Sequence, residues 1–275
     1  MSEPLTGRVA LVTGAARGVG KVLALELADM GATVIVTARS EGPETSELGG
    51  SINETVSAIT QSGHRAMAIA ADLVDPASLS DLISTVRAQV GEVDILVNNA
   101  ADTGDRVFHD FTKTDPAAWR RQFELNVFAM YDLMHAFVPG MRDRREGFVI
   151  NLGSLRDVPE GIDTSASVGD ATLGAAYPTT KLAIYAMTTL LANEFAKDNV
   201  VAFTLTPGLA RTERLEDHAV RLGFDPAVAV PPELAGKAVR HILSSSDPLR
   251  FAGRFIEAAP FVAGLPLADE TGAQV

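Results

Sequence analysis

Short apolar runs alternate with longer segments of helical periodicity along the whole chain. The first run, residues 8–13, is apolar on both faces, as expected of a strand buried in a parallel sheet. Further strands are predicted at 33–37, 66–70, 94–98, 148–152, 200–205 and 254–257, and helices at 18–30, 52–62, 77–90, 115–137, 175–196 and 234–243. Strict alternation in units of about 30 residues predicts an α/β fold with a doubly wound parallel sheet.

No linker or internal repeat interrupts this pattern, so a single domain spanning residues 1–275 is expected. Three stretches resemble surface loops: 40–51, 155–174 and 210–232. We expect the second and third to lie at the active site. The third contains mixed charges, Glu213, Glu216 and Asp217 with Arg211, Arg214 and Arg221, which are typical of a charged helix.

Composition excludes several classes of function. The 275 residues include no cysteine, which rules out disulfides, a thiol nucleophile and a cysteine-based zinc site. The net charge of −12 disfavours nucleic acid and anionic membranes as partners. The five histidines form no metal-binding motif, and no apolar run is long enough to span a membrane. Because the N-terminus also lacks the features of a signal peptide, a cytoplasmic location is expected.

A glycine-rich turn, residues 13–20, follows the first strand and opens the first helix. Gly14, Gly18 and Gly20 allow the backbone to turn sharply and let a pyrophosphate approach the free N–H groups of the helix. The spacing differs from G-x-G-x-x-G, and no Gly-Lys-Ser/Thr follows, so it is not a P-loop. A turn of this kind without a nucleotide is the alternative.

The end of the second strand indicates which dinucleotide is bound. A cofactor with a free 2′-hydroxyl favours an acidic residue there, whereas this chain has Thr37, Ala38 and Arg39. Arg39, together with Arg17 in the glycine turn, could hold a 2′-phosphate. We therefore predict that NADP(H) is favoured over NAD(H); a pair of solvated arginines is the alternative.

Six motifs in order make the chain resemble the short-chain dehydrogenase/reductase family. They are T-G-A-A-R-G-V-G at 13–20, N-N-A-A at 98–101, L-N-V at 125–127, I-N-L-G-S at 150–154, Y-P-T-T-K at 177–181 and P-G-L-A-R-T at 207–212. Ala101 stands where the family usually has glycine, and the family's common C-terminal Gly-Gly ending is missing. The resemblance implies a Rossmann fold with three α/β/α layers.

The motif at 177–181 carries the proposed chemistry. Tyr177 and Lys181 are four residues apart, and so share one helix face. A free phenol has a pKa near 10; a cation about 4 Å away contributes roughly 4 kcal/mol at intermediate dielectric and would lower it by about 3. We expect Tyr177 to protonate a carbonyl oxygen during reduction and to remove the alcohol proton in the reverse direction. An ordinary surface pair is the alternative.

The resemblance also implies roles for other residues. Lys181 would hold the nicotinamide ribose, Ser154 would hydrogen-bond the substrate oxygen, and Asn126 would help organise a water that relays protons to Lys181. Ser165 and Ser167 compete with Ser154 because they are closer to Tyr177 in sequence. Asn126 could instead bond a neighbouring loop. The remaining cofactor contacts implied are Val19, Asp72, Leu73, Asn98, Ala100, Pro207, Gly208 and Thr212, although Asp72 could equally be a turn residue.

The loop at 155–174 bears on the substrate. It is acidic, with Asp157, Glu160, Asp163 and Asp170 against Arg156 alone, and its ends carry Ser154 and Tyr177. It therefore disfavours carboxylate or phosphate substrates, unless it is merely a solvated loop. Val158, Leu209 and Phe224 are apolar candidates for the pocket wall. We expect a small, neutral or hydrophobic ketone or secondary alcohol.

Two other functions remain open on the sequence. A dinucleotide sensor on the same fold would not need Asn126, Ser154, Tyr177 and Lys181 together. Epimerisation or dehydration would favour a larger C-terminal region. The helices at 115–137 and 175–196 have more apolar residues than one sheet face needs. With the family resemblance, this suggests a homodimer or homotetramer.

Overall fold

The structure is a computed structural model, and it describes residues 3–39, 41–42, 48–102, 111–154, 167–168, 171–172, 175–222 and 225–266. Its strands are β1 (Val9–Thr13), β2 (Thr33–Ala38), β3 (Ala66–Ala70), β4 (Ile95–Asn98), β5 (Gly147–Leu152), β6 (Ser167–Val168), β7 (Ala171–Thr172), β8 (Val200–Thr206) and β9 (Phe255–Glu257). Seven of them form one sheet in the order β3-β2-β1-β4-β5-β8-β9, and every neighbouring pair in it is parallel.

All seven strands of this sheet occur where the apolar runs predicted them, and the doubly wound α/β fold is confirmed. The remaining pair, β6 and β7, is a small antiparallel hairpin inside the loop at 155–174, where no strand was predicted. The helices are α1 (Gly18–Asp29), α2 (Ile52–Gln61), α3 (Pro76–Gln89), α4 (Pro116–Phe123), α5 (Ala129–Arg144), α6 (Ala176–Phe195), α7 (Glu213–Leu222), α8 (Glu233–Leu243) and α9 (Ala258–Ala263).

Helix starts follow from capping side chains. Ser51 accepts a hydrogen bond from the amide of Glu54 and begins α2, while Asp75 and Asp115 cap α3 and α4, each followed by a proline at the first helical position. Helix α1 ends before Gly31, whose φ of +99° favours glycine. These signals are local, which is why the sequence predicts them.

The sheet is covered on both faces because its strands are apolar on both. On β1, Ala10 and Val12 pack with α1, α2 and α8, whereas Leu11 packs on the opposite side with α3, α5 and α6. This arrangement is the three-layer α/β/α architecture expected from the resemblance. Among the described helices, none is both long enough and apolar enough to cross a membrane.

The helix predicted at 115–137 differs from the observed one in two respects. A π-helical turn at Glu124–Phe128 separates α4 from α5, and the amide of Ala129 bonds the carbonyl of Glu124, five residues back. The helix also continues through Pro139 and ends at Arg144, so its predicted end was wrong. It stops where Arg145 adopts a left-handed conformation with φ of 55°.

The order of the strands decides where a ligand can bind. The chain moves outward from β1 through β2 to β3 and then returns to the other side of β1 with β4. In sheets of this kind a crevice opens at the carboxyl ends of the two strands where the order reverses. Here these ends are Thr13 and Asn98, which places the glycine turn at that crevice.

Candidate active site

The glycine turn leaves the start of α1 open. Arg17 stands at the N-cap in an extended conformation, and no side chain of the described residues caps this helix. Gly14 and Gly18 have φ of +64° and +55°, a region that glycine adopts without strain. A Cβ on Gly20 would lie 2.5 Å from the carbonyl oxygen of Gly14, so a side chain cannot be accommodated there without a shift of backbone. The turn is therefore shaped to expose amide N–H groups to an anion.

Thr13 and Asn99 join this turn to the end of β4. The Thr13 hydroxyl accepts hydrogen bonds from the amides of Asn99 and Ala100 at 3.0 and 3.1 Å. The Asn99 side chain donates to the carbonyls of Thr13 and Gly14 at 2.8 and 3.1 Å. The sequence analysis did not identify Asn99 as a site residue; its position directly after a buried strand, beside Asn98, was the available signal.

Three arginines gather beside the turn. Arg17 is half-buried and donates to the carbonyl of Gly49 at 2.6 Å, and Arg39 is exposed after β2. The third, Arg214, comes from the first turn of α7 and was not predicted. Burial and the charge of Arg214 lower the pKa of Arg17, Glu213 opposes this, and Arg39 adds to it. Mutual repulsion of this kind marks a place where a bound anion would be stabilised.

The residues expected to line the cofactor from β3 and β4 also make contacts within the protein. Asp72 Oδ1 accepts from the amide of Val74 at 3.1 Å, which is the turn role left open by the sequence. Leu73 is buried and lines an interior cavity. Asn98 is buried and donates to Asn151 Oδ1 on β5 at 2.8 Å. Leu73, Asn98 and Ala100 line one cavity.

The loop after β8 approaches the glycine turn from the other side. Gly208 has φ of +73°, which fits its predicted role of shaping this loop beside Pro207. Thr212 Oγ1 accepts from the amide of Leu215 at 3.3 Å and so helps to start α7. A Cβ on Gly18 would lie 3.2 Å from the Thr212 methyl group. The Thr212 methyl group therefore packs against the glycine turn at Gly18, where Val19 follows in α1.

Tyr177 and Lys181 lie in the first two turns of α6. Lys181 is 3% exposed, its Nζ is 5.4 Å from the centre of the Tyr177 ring, and it donates to the carbonyl of Leu152 at 2.7 Å. That carbonyl is at the carboxyl end of β5, two residues before the half-buried Ser154. The fold thus anchors the Tyr-Lys helix next to the strand end that carries Ser154.

Asn126 lies in the π-helical turn and is 1% exposed. Its Oδ1 accepts from the amide of Asp102 at 2.9 Å, and its Nδ2 donates to Thr180 Oγ1 at 3.1 Å. The Thr180 hydroxyl in turn donates to the carbonyl of Tyr177 at 2.7 Å. Asn126 therefore bonds a neighbouring loop, as the alternative held, and also connects that loop to the Tyr-Lys helix.

Several sequence predictions lie outside the described residues: Val158, Ser165, Phe224 and the acidic side chains of the loop at 155–174. For Ser167 the structure gives only its backbone place in β6. Helix α7 confirms that the charged segment after Thr212 is helical. Among the described residues, no group of three His, Asp or Glu side chains could hold a metal ion.

Comparison with known proteins agrees with this arrangement. A family model described as short chain dehydrogenase matches residues 8–220. The chain is 34% identical over 209 residues to the 3-oxoacyl-(acyl-carrier-protein) reductase FabG of Vibrio cholerae, covering 76% of each protein. It is 30% identical over 272 residues to the oxidoreductase UcpA of Escherichia coli K12, covering 98% of this chain and 92% of UcpA.

A solved structure shares the fold over most of its length. The crystal structure of a 3-oxoacyl (acyl-carrier-protein) reductase from Agrobacterium tumefaciens with NADP bound superposes with a TM-score of 0.77 at 30% identity. The match covers 92% of this chain and 93% of the other. The family model, these relatives and the ordered set of motifs agree, and the chain belongs to the short-chain dehydrogenase family.

Proposed function

We propose that this protein is an NADP(H)-dependent oxidoreductase that interconverts a ketone and a secondary alcohol. One observation carries the proposal: Lys181, buried and bonded to Leu152 at the end of β5, lies 5.4 Å from the Tyr177 ring centre, beside Ser154. An ammonium held next to a phenol stabilises the ionised form of that phenol, and burial strengthens the effect. This arrangement suits acid–base chemistry at the phenol.

The residues at the crevice fit a dinucleotide. Gly14, Gly18 and Gly20 give a turn into which a pyrophosphate can settle, and the start of α1 lacks a capping side chain among the described residues. Thr212 borders the same space. When bound there, the nicotinamide would supply or accept the hydride. The chain's own contribution is to hold it against Tyr177, with Lys181 bonding the ribose.

Proton transfer is then the task of Tyr177. In reduction its hydroxyl donates a proton to the substrate oxygen as that oxygen gains negative charge; in oxidation the phenolate takes the alcohol proton back. Lys181 stabilises the phenolate by its charge. The Ser154 hydroxyl donates a hydrogen bond to the same oxygen. Asn126 supports this step by fixing α6 through Thr180, and the interior cavity that it lines with Lys181 has room for about one relay water.

Preference for NADP(H) follows from the arginines. Arg39 and Arg17 would hold the 2′-phosphate, and Arg214 adds positive charge from α7. Two solved structures similar to this chain, the Agrobacterium tumefaciens reductase and a metagenomic short-chain oxidoreductase, were crystallised with NADP. The arginine cluster is the feature of this chain that supports the same choice.

A neutral or hydrophobic carbonyl compound is the proposed substrate class. The FabG relatives are named as 3-oxoacyl reductases, and the reacting ketone of a 3-oxoacyl thioester is itself neutral. Leu209, half-buried in the loop after β8, is the described candidate for an apolar wall. We propose that one domain, residues 1–275, carries the whole site, and a cytoplasmic location stays a prediction.

We also propose that the protein acts as a homodimer or homotetramer. The π-helical turn, α5 and α6 expose apolar side chains that no sheet face covers: Phe128 and Tyr131 are each 50% exposed and Leu190 is 67% exposed. Exposed apolar groups on neighbouring helices are typical of contacts between copies. Sedimentation of the wild type and of Leu190→Glu tests this, and a monomeric wild type would contradict it.

The central experiment is a spectrophotometric assay of NADPH oxidation against a panel of neutral ketones, a 3-oxoacyl thioester and 2-oxo acids. We expect turnover with neutral carbonyls and little with the anionic acids. A dinucleotide sensor would bind NADPH tightly but oxidise it with none of them. An epimerase or dehydratase would convert substrate without net consumption of NADPH.

A further inference from the structure

The side chain of Asn98, the last residue of β4, has one polar atom with no hydrogen-bond partner among the described residues. Its Nδ2 donates to Asn151 Oδ1 at 2.8 Å. Its Oδ1 is buried and accepts no hydrogen bond from the part of the chain that the structure describes. Buried acceptors are nearly always paired with protein or with an ordered water, so a donor is expected beside this oxygen.

The direction of the Asn98 amide is fixed by its neighbours. The Thr188 hydroxyl donates to the carbonyl of Ile184 at 2.7 Å, so its oxygen is left to accept from Asn151 Nδ2 at 2.8 Å. Asn151 Nδ2 also faces the sulfur of Met134 at 3.5 Å, an acceptor. Asn151 Oδ1 must then accept from Asn98 Nδ2, which turns Asn98 Oδ1 away from β5.

A small interior cavity adjoins Asn98. Its polar lining comes from Thr13, Asn98, Asn126 and Lys181, and the rest is apolar. It has room for about one water molecule. The Thr13 hydroxyl is already engaged by the carbonyl of Val97 and by the amides of Asn99 and Ala100. Because Asn98 Nδ2 is turned toward Asn151, Oδ1 is the polar atom left to face this cavity.

Lys181 lines the same cavity and can supply the missing donor through a water. An ammonium has three N–H groups, so Lys181 can donate to a water in addition to the carbonyl of Leu152. A water in the cavity would accept from Lys181 Nζ and donate to Asn98 Oδ1, which gives it two of the two to four partners that a buried water needs.

We propose that Asn98 is a positioning residue for Lys181, acting through a water that its Oδ1 anchors in this cavity. The assignment rests on the proposed function, and it differs from the role that the family resemblance gives to Asn126. The anchored water stabilises the charged form of Lys181. The Asn151–Thr188 chain keeps the Asn98 oxygen turned toward it.

The first test does not depend on activity. A high-resolution crystal structure of the wild type should show an ordered water within hydrogen-bond distance of both Asn98 Oδ1 and Lys181 Nζ. A dry cavity, or a water that bonds only Asn126, would overturn the proposal. This result stands whatever reaction the protein catalyses.

The second test compares Asn98→Leu with Asn98→Asp. Leucine has a similar size but no acceptor, so we expect kcat to fall at least tenfold. The pH at which kcat declines on the alkaline side of its profile should fall by about one unit, which is the scale of one hydrogen bond to a charged group. Aspartate keeps an acceptor toward the cavity, while its other oxygen would lie against Asn151 Oδ1, so the thermal stability of this variant is measured alongside. We expect Asn98→Asp to recover most of kcat and to move the alkaline limb upward.

A purely structural role for Asn98 gives a different pattern. Both variants would then lose kcat in proportion to their loss of thermal stability, with the pH profile unmoved, and the proposal would be wrong. The Kd of each variant for NADPH is measured alongside. A direct contact between Asn98 and the cofactor would raise this Kd in both variants, and that result would contradict the proposal. Failure of the proposed oxidoreductase function would show separately, as absence of turnover in the wild type.

Discussion

The ammonium of Lys181 donates a 2.7 Å hydrogen bond to the carbonyl of Leu152, 29 residues earlier in the chain. This bond joins the second turn of α6 to the carboxyl end of β5. It places the Tyr177 ring, whose centre is 5.4 Å from the same ammonium, at the edge of the sheet where the glycine turn also lies. The proposed chemistry depends on this relationship.

Replacing Tyr177 by phenylalanine removes the group proposed to transfer the proton. We expect kcat to fall by about 10²–10⁴-fold, the usual contribution of a positioned acid or base, with little change in the Kd for NADPH. Tyr185→Phe is the matched control, because Tyr185 lies on the same helix as Tyr177. Its ring packs edge-on against Phe255 of β9. Full turnover by Tyr177→Phe would remove the proposed mechanism.

Arg39→Ala tests the recognition of the 2′-phosphate. The guanidinium is exposed after β2, so its loss should leave the fold intact and raise the KM for NADPH by about tenfold or more, the scale of one charge-assisted hydrogen bond. The KM for NADH should not change, because NADH has no phosphate there. Arg65→Ala, another exposed arginine before β3, controls for net charge. Equal effects on both cofactors would contradict the assignment.

Gly20→Ala probes the shape of the phosphate turn. The new Cβ would lie 2.4 Å from Asn99 Nδ2 and 2.5 Å from the Gly14 carbonyl oxygen, so the turn has to move. Overpacking of this kind costs about 1–3 kcal/mol of stability. We expect a lower melting temperature and weaker NADPH binding. Gly264→Ala, where the nearest atom would be 3.5 Å away, should change neither quantity.

His241 makes stability depend on pH. Burial and the charge of Arg250 lower the pKa of His241 from 6.5, and its ring packs against Phe251 and Phe261. The unfolded chain therefore binds the proton more readily, so the contribution is complete above pH 6.5 and is lost as pH falls toward the lowered value. Thermal melts between pH 7.5 and about 5.5 should show a smaller decrease for His241→Phe than for the wild type. His135→Gln serves as the control, and an unchanged pH slope in His241→Phe would contradict the prediction.

The sequence by itself determined the order and type of the elements of the sheet. Each buried strand is a continuous apolar run, and the starts of α2, α3 and α4 are marked by the capping residues Ser51, Asp75 and Asp115. The glycine turn and the Tyr177–Lys181 pair are equally local, because each of these two motifs spans no more than eight consecutive residues. Local periodicity and spacing were sufficient for these.

Tertiary packing decided the rest, because the partners are far apart in the chain. The sequence does not indicate that Arg214 approaches Arg17, that Asn99 fastens the glycine turn, or that the buried side chain of Asn98 bonds Asn151 on the next strand. Nor does it show that a π-helical turn carries Asn126, or that the helix continues past Pro139. Each of these depends on which strands become neighbours and which helix faces meet, and only the assembled sheet sets those contacts.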